Sequence, residues 1–439
     1  MLRVGLPRGL PHRLVAAAVL ALTAGLLWLP AAVASTATTP GAASGAATPP
    51  GAETTAPDAA RTLDERVGVG PEPDGTPVAL DTTTFFPDEE AADGSDEGVP
   101  RPAVLLTHGF GGSKADVVGQ ALEFVARGFV VLTYTARGFG DSDGRIHLAD
   151  PAYEGADQRV LTDRLAGLDE VLLDGAGDPR IAVVGASYGG ALALMAGATD
   201  PRVDTVVAAI TWNDLGDAFF PQYALSTSPP DTDSPADVPR AGQPGPFKQL
   251  WSSRFFLATA GTGGAEDPVC GRFDPQVCRL FLRAAETGAP SEALLDLLAA
   301  HSPAPLLDGL SAPTYLVQGM ADTLFGVEQA DATARTLLAQ GTPVAVRWMD
   351  GGHDALSTTA EDDATSVTTW LSHYLDRPPE GADDLPLPAF VYAEPLEPGA
   401  SLATLSRGGG ERAAAPPGPG GGSGVGPPPR RPPPGRPAA

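Results

Sequence analysis

The chain has 439 residues, of which 43% are hydrophobic, so it is long enough to bury one large core or two modest ones. Its 54 acidic residues against 28 basic ones give a formal net charge of −26. A surface this negative repels phosphate backbones, and we therefore expect no nucleic-acid partner.

The N-terminal segment 1–34 has the pattern of a signal peptide. Three arginines precede an apolar stretch over 14–29, and the small residues at 32–34 fit a cleavage site. An uncleaved membrane anchor is the alternative, because 14–34 carries no charge and is long enough to span a bilayer. In either case we expect the body of the protein to be secreted or extracytoplasmic.

Two further segments have compositions that do not support a packed core. Residues 35–62 are rich in Ala, Thr, Pro and Gly and are predicted to be a disordered linker. Residues 381–439 are predicted to be a C-terminal tail, in which the Pro- and Gly-rich part 407–439 contains Arg430, Arg431 and Arg436 and is expected to be disordered or polyproline II. These arginines suggest association with an anionic cell envelope, and a solvated tail without a specific partner is the simpler interpretation.

Between these segments, apolar strands alternate with amphipathic helices. Strands are predicted at 78–87, 102–109, 129–138, 181–187, 204–212, 313–322 and 343–352, and helices at 115–128, 156–174, 188–198, 327–340 and 359–376. The alternation at 78–87 indicates an outer strand. Continuous apolar strands separated by helices predict an α/β fold with a mostly parallel central sheet and helices on both faces.

The stretch 213–312 interrupts this pattern between two consecutive strands. It is too long for a simple connection and contains helical patches such as 291–301. We predict a helical cap insertion that divides the core into 63–212 and 313–380. The cap is expected over the carboxyl ends of the strands, where ligands bind in open α/β sheets.

The chain has two cysteines, Cys270 and Cys278, and both lie in the predicted cap. In an oxidising compartment we expect them to form a structural disulfide, and two free thiols are the alternative. Their spacing suits no common metal site and no cluster of histidines lies nearby, so no metal is expected.

The sequence GASYG at 185–189 matches the G-x-S-x-G pattern of a nucleophile elbow. It follows a predicted strand and opens a predicted helix, which is the context that the elbow requires. Ser187 is therefore the candidate nucleophile. A serine hydroxyl is a poor nucleophile at neutral pH and needs a base.

Among the six histidines, His353 is the candidate base, because it follows the last predicted core strand in a Gly-Gly-His turn. Asp322 ends the strand 313–322 and is the preferred acid to fix the histidine tautomer. Asp214, which follows the strand after the nucleophile, is the alternative acid.

Two backbone N–H groups are expected to form an oxyanion hole. One is that of Tyr188, directly after the nucleophile. The other is that of Phe110, in the sequence HGFGG at 108–112 that follows a predicted strand. A plain glycine turn is the alternative for that loop.

The segments LLTHGFGGSKAD, YTARGFGDSDGR, GASYGG, LVQGMADTLF and DGGHDA together resemble the α/β-hydrolase superfamily. Within it, the chain resembles the X-Pro dipeptidyl-peptidase (S15) and cocaine-esterase-like group over about residues 70–378. The resemblance implies that Ser187 attacks an acyl carbonyl, His353 relays the proton and Asp322 orients His353. It implies a structural role for Arg137, and it implies no cofactor.

The chain departs from this group in two places. Thr135 stands where members often carry an aspartate. Residues 385–395 resemble the entry to the carboxyl-terminal jelly-roll domain of full-length members, but the composition then turns to Gly and Pro. A dipeptidyl-peptidase also needs an acidic group for the free amine of its substrate, and Asp214, Asp217 and Asp267 are the candidates.

We therefore predict a secreted, X-Pro dipeptidyl-peptidase-like serine hydrolase that cleaves small esters or short peptides through an acyl-enzyme intermediate. A carboxylic ester hydrolase without peptidase activity is the first alternative. A non-catalytic extracellular binding protein on a hydrolase fold is the second. The sequence leaves the oligomeric state open.

Overall fold

The computed structural model describes residues 61–87, 98–221, 245–260, 267, 269–376 and 385–393. The predicted signal peptide, most of the predicted linker and the three arginines of the predicted tail lie outside the described residues. Among the helices that are described, none combines the length and the apolar character that a membrane span requires.

The described chain contains eleven β-strands. In chain order they are β1 (Arg61–Val69), β2 (Val78–Phe86), β3 (Ala103–Thr107), β4 (Val130–Tyr134), β5 (Leu173–Gly175), β6 (Asp178–Pro179), β7 (Ile181–Ala186), β8 (Val203–Ala209), β9 (Thr314–Gly319), β10 (Val344–Met349) and β11 (Phe390–Tyr392). Nine of them form the central sheet in the order β1-β2-β4-β3-β7-β8-β9-β10-β11. Strands β1, β2 and β4 pair antiparallel and every later pair is parallel.

Helices occupy most of the connections between these strands. They are α1 (Val118–Val125), α2 (Glu154–Ala166), α3 (Tyr188–Thr199), α4 (Leu215–Phe219), α5 (Gln249–Ala260), α6 (Pro275–Thr287), α7 (Glu292–Ala300), α8 (Val327–Ala339) and α9 (Ala360–Leu375). Short 3₁₀ turns at Lys114–Val117 and Ala304–Gly309 complete the connections.

The sheet is covered on both faces, as its apolar strands require. All five residues of β3 and of β4 are buried. One apolar cluster packs against α1 and α9, and includes Phe124 and Trp370. The other packs against α2, α3 and α8, and includes Leu161 and Leu192. The predicted α/β class with a mostly parallel sheet is therefore confirmed.

Three local predictions need correction. The outer position expected for 78–87 is wrong, because β2 lies between β1 and β4 and the charged strand β1 forms the edge. The helix expected over 156–174 ends at Ala166, where the Gly167 N–H closes the last turn. Residues 390–392, expected to lead into a jelly-roll domain, instead pair with β10 as a parallel edge strand.

Helices α4 to α7 fall within 213–312 and lie beside the loops at the carboxyl ends of the strands. The Phe255 ring of α5 lies 4.7 Å from the ring of Phe110, in the loop after β3. The N–H of Ile146, in the connection after β4, donates to Arg272 O at 2.8 Å. Cys270 and Cys278 are joined by a disulfide next to this contact. The helical segment is thus attached directly to the loops that surround Ser187.

Candidate active site

Ser187 occupies a sharp turn between β7 and α3. Its backbone has φ 56° and ψ −117°, a conformation that residues with a side chain rarely adopt. The tightness of the turn also explains Gly185, because a Cβ there would lie 2.2 Å from Gly189 O. This strained turn places the serine hydroxyl at the carboxyl edge of the sheet, where Ser187 lines a small cavity.

The structure brings Ser187, His353 and Asp322 together in one hydrogen-bonded chain. Ser187 Oγ lies 2.8 Å from His353 Nε2, and His353 Nδ1 lies 2.5 Å from Asp322 Oδ2. In the neutral imidazole, Nδ1–H then donates to the carboxylate and Nε2 is free to accept the serine proton. The three residues follow β7, β10 and β9, whose carboxyl ends share one edge of the sheet.

Asp322 is held by more than the histidine ring. Its Oδ1 accepts the N–H groups of Leu324 and Phe325, both at 2.8 Å, and its Oδ2 also accepts the His353 N–H at 3.2 Å. The Gly-Gly-His turn is needed for this contact, because a Cβ at Gly352 would lie 2.5 Å from Asp322 Cα. These bonds fix the orientation of the carboxylate toward the imidazole.

Asp214, the alternative acid, is placed elsewhere. Its side chain caps helix α4 by accepting the N–H of Asp217 at 3.0 Å. Two buried histidines have carboxylates of their own: His147 pairs with Glu72, and His301 with Asp150. Among the described residues, only His353 is hydrogen-bonded to the Ser187 hydroxyl.

The loop after β3 and the start of α3 both approach Ser187. A Cβ built at Gly109 would lie 3.6 Å from the Ser187 Cβ, so the loop passes close to the serine. Within the described ranges, the N–H groups of Phe110 and Tyr188 donate no backbone hydrogen bond. Tyr188 is the first residue of α3, whose opening N–H groups have no intrahelical acceptor. Both groups are therefore available to an anionic oxygen.

His108 holds this loop in place, a role that the sequence analysis missed. Its Nε2 accepts the Ala136 N–H at 3.0 Å, and its Nδ1 lies 2.7 Å from Gly109 O. Burial lowers the pKa of His108, so the ring stays neutral and can accept at one nitrogen while donating at the other. The HG pair at the end of the strand is the only sequence signal for it.

A buried polar network holds the side chain of Tyr188, and the sequence analysis missed this network as well. The Tyr188 hydroxyl accepts the Ala149 N–H at 2.8 Å and donates to Glu154 Oε1 at 3.1 Å. Glu154 further accepts the N–H groups of His147 and Asp150. Burial raises the pKa of Glu154 to about 8. The network joins the residue after Ser187 to the connection that follows β4.

Arg137 has the structural environment that the resemblance implies. Its guanidinium forms two hydrogen bonds with Asp157, at 2.7 and 2.5 Å, and a third with Gly70 O at 3.0 Å. The side chains of Arg137 and Asp157 are only 1% and 2% exposed. Removing one partner of such a buried pair typically costs about 3–5 kcal/mol of stability. Thr135, at the position of the missing aspartate, accepts the Lys114 N–H at 3.0 Å.

A narrow apolar cavity opens directly beside Ser187. Aromatic side chains from both the core and the helical segment form its walls, among them Phe110, Tyr188, Trp212 and Phe255. In the part of the chain that the structure describes, no group of three His, Cys, Asp or Glu side chains is placed to hold a metal ion.

Comparison with known sequences gives one match that spans most of the described core. The family model of the X-Pro dipeptidyl-peptidase (S15 family) matches residues 74–349. The quorum-quenching protein AidA of Acinetobacter baumannii (strain MDR-ZJ06) is 30% identical over 119 residues, which are 26% of this chain and 37% of that protein. An uncharacterized 31.7 kDa protein of the traX-finO intergenic region of Escherichia coli is 31% identical over 117 residues, 26% and 39% of the two chains. The chain therefore matches less than half the length of these curated relatives.

Two solved structures align with most of this chain. An esterase of Pyrococcus furiosus aligns with a TM-score of 0.45 and 15% identity, over 72% of this chain and 92% of that one. An acylaminoacyl peptidase of Pyrococcus horikoshii aligns with a TM-score of 0.47 and 13% identity, over 73% and 43%. The family match covers more than half of the present chain, and the protein belongs to the X-Pro dipeptidyl-peptidase (S15) family.

Proposed function

We propose that the protein is a serine hydrolase that cleaves acyl bonds of esters or short peptides through an acyl-enzyme formed at Ser187. One observation carries this proposal: the continuous hydrogen-bonded chain from Ser187 Oγ through His353 to Asp322, located at a strained strand–helix turn. Membership of a peptidase family supports the same reaction class.

In this mechanism, Ser187 Oγ attacks the carbonyl carbon of the substrate while His353 Nε2 takes the hydroxyl proton. The carbonyl oxygen becomes an oxyanion, which the N–H groups of Phe110 and Tyr188 stabilise. Collapse of the tetrahedral intermediate breaks the bond to the leaving group, and the leaving group receives the proton from His353. A water molecule then repeats the sequence on the acyl-enzyme and releases the carboxylic acid.

Asp322 acts through His353 and touches no substrate. Its carboxylate keeps the histidine proton on Nδ1 and stabilises the imidazolium that forms during attack. Because Leu324 and Phe325 donate to the other carboxylate oxygen, Asp322 stays in position when the ring becomes charged.

Labelling with a fluorophosphonate probe tests the proposal most simply, because the probe phosphonylates the hydroxyl of an activated serine. The wild type is expected to be labelled, and Ser187→Ala is expected to lose both labelling and ester turnover. Ser366→Ala is the matched control, since Ser366 lies on α9 and its hydroxyl donates to the Asp362 carbonyl. Equal labelling of the wild type and Ser187→Ala would contradict the assignment and favour a non-catalytic binding protein.

Peptidase and esterase activities remain two candidate functions of the same site. The family match favours X-Pro dipeptidyl amides, whereas the apolar walls beside Ser187 favour esters of apolar acids. An X-Pro p-nitroanilide compared with short p-nitrophenyl esters separates the two. Turnover of esters alone would remove peptidase activity from the proposal.

We also propose that the protein acts outside the cytoplasm, either released or held by its N-terminal segment. The signal-like composition of 1–34 and the disulfide between Cys270 and Cys278 support this location. Sequencing the N-terminus of the protein from culture medium and from the membrane fraction tests it. A full-length chain found only in the cytoplasm would contradict it.

A further inference from the structure

A second cavity lies behind the one that opens at Ser187. Helices α5, α6 and α7 supply most of its walls, including Phe256, Phe281 and Leu298. The two cavities share the side chains of Leu148, Phe219 and Phe255. The two cavities therefore adjoin at these three residues, and Ser187 lines the first of them; we refer to them together as the acyl channel.

The acyl channel presents no charged side chain among the described residues that line it. Apart from Ser187 itself, the one aliphatic hydroxyl among these described lining residues belongs to Ser252. That hydroxyl is engaged within its own helix, lying 3.1 Å from Gln249 O and 3.3 Å from Lys248 O. The Tyr188 hydroxyl is likewise engaged with Glu154. A polar or charged group that entered the channel would therefore lose its water without gaining a partner.

The three carboxylates considered for a substrate amine do not line the channel. Asp214 caps helix α4, and Asp267 accepts the N–H groups of Val269 and Cys270. Asp217 contributes to neither cavity wall. An ammonium group is costly to bury without a carboxylate, and the described residues that line this channel offer the free amine of a dipeptide no such partner.

We infer that the acyl group of the substrate is an uncharged, apolar chain of several carbons that extends from Ser187 along the acyl channel. This inference rests on the proposed function, because it assumes that the acyl group is attached to Ser187. It distinguishes the protein from a peptidase that anchors a charged amino terminus. The aromatic walls also suit a phenylalkyl acid, whose ring would stack on them.

A matched series of p-nitrophenyl esters tests the inference on the wild-type chain. Burial of a methylene favours binding by about fourfold, so hexanoate should exceed acetate in kcat/KM by on the order of 100-fold. The 6-aminohexanoate ester and the adipate monoester have similar length but carry a terminal charge of either sign. Both should fall to the acetate value or below it, and an X-Pro p-nitroanilide should be a poor substrate.

A substitution in the channel locates the effect. Leu298 is 3% exposed and lines the inner cavity, so Leu298→Trp should shorten the channel and lower the hexanoate-to-acetate ratio by about tenfold or more. Leu282→Trp is the matched control, because Leu282 is 40% exposed on α6 and lines neither cavity. It should leave the ratio unchanged.

The outcomes separate this inference from the proposed function. Equal kcat/KM values for hexanoate and 6-aminohexanoate, or an X-Pro amide that exceeds hexanoate, would overturn the apolar channel while leaving Ser187 as the nucleophile. Absence of both fluorophosphonate labelling and acetate turnover would overturn the proposed function itself. The ester series requires no variant, so the inference stays testable if Leu298→Trp does not fold.

Discussion

The carboxyl edge of the sheet and the helical segment above it contribute different properties to the site. At the edge, Ser187, His353 and Asp322 each follow a strand, and hydrogen bonds of 2.8 and 2.5 Å join their side chains. In the helical segment, the groups that face the same space are aromatic and aliphatic. On the proposed function, the core determines the chemistry and the helices determine which acyl group enters.

The two regions also differ in how tightly their positions are determined. At the edge, backbone contacts leave little freedom, since a single Cβ at Gly185 or Gly352 would collide with main-chain atoms. The described part of the helical segment is attached to the core loops through hydrogen bonds between surface segments, such as those of Ile146 with Arg272 and Asp274. We therefore expect substitutions at the edge to affect turnover most, and substitutions in the helices to affect selectivity and stability.

The largest expected effect comes from the acid that orients His353. Asp322→Asn should lower kcat by about 10³–10⁴-fold, because an amide no longer holds the productive histidine tautomer. Asp214→Asn is the matched control and should keep kcat within about threefold, since asparagine also caps helices well. Steady-state kinetics with p-nitrophenyl acetate measures both. A larger loss of kcat in Asp214→Asn than in Asp322→Asn would assign the acid role to Asp214. The helical segment would then contribute to the chemistry, against the division between the two regions.

The disulfide between Cys270 and Cys278 should stabilise the helical segment more than it affects the chemistry. Replacing both cysteines by serine should lower the free energy of unfolding by about 2–3 kcal/mol, as expected for closing a loop this short. Urea denaturation measures the loss, and reduction of the wild type should reproduce it. We expect the hexanoate-to-acetate ratio to fall more than acetate turnover. A loss of acetate turnover alone would show that the segment takes part in the chemistry.

The smallest expected effect depends on pH. Burial, together with the carboxylates of Asp214 and Glu328, raises the pKa of Asp217 to about 6. As the pH rises from about 4, Asp217 loses its proton in the unfolded chain before it does so in the folded protein. The group therefore lowers the free energy of unfolding progressively up to about pH 6, and by a constant amount above that pH. Because Asp217 is only half-buried, Asp217→Asn should be more stable than the wild type by about 1 kcal/mol at pH 7.5. Thermal unfolding across this range checks that the difference vanishes near pH 4; an equal difference at all pH values would contradict the cause.

Sequence patterns predicted the parts of the molecule that depend on local geometry. The apolar runs before Ser187 and Asp322 correspond to β7 and β9, and the glycines beside Ser187 and His353 correspond to tight turns. The candidate residues were therefore identifiable in advance. The edge strand β1 was not, because an exposed strand carries too few apolar residues to show a clear alternation.

Other features depend on contacts between distant segments and left no local signal. The acyl channel combines Phe219, Phe255 and Leu298 from three helices with Leu148 from the connection after β4. The Tyr188–Glu154 hydrogen bond joins the first residues of α3 and α2, which are far apart in the sequence. Strand β11 has three residues, which is too short for its pattern to indicate a strand.

The central claim is that chemistry occurs at Ser187 and that the acyl group is held there covalently. Mixing the protein with p-nitrophenyl hexanoate, quenching in acid within the first turnover and mapping the peptides by mass spectrometry tests it directly. We expect a hexanoyl group on the peptide that contains Ser187 and none on that peptide in Ser187→Ala. A hexanoyl group on a different residue, or full turnover by Ser187→Ala, would contradict the account.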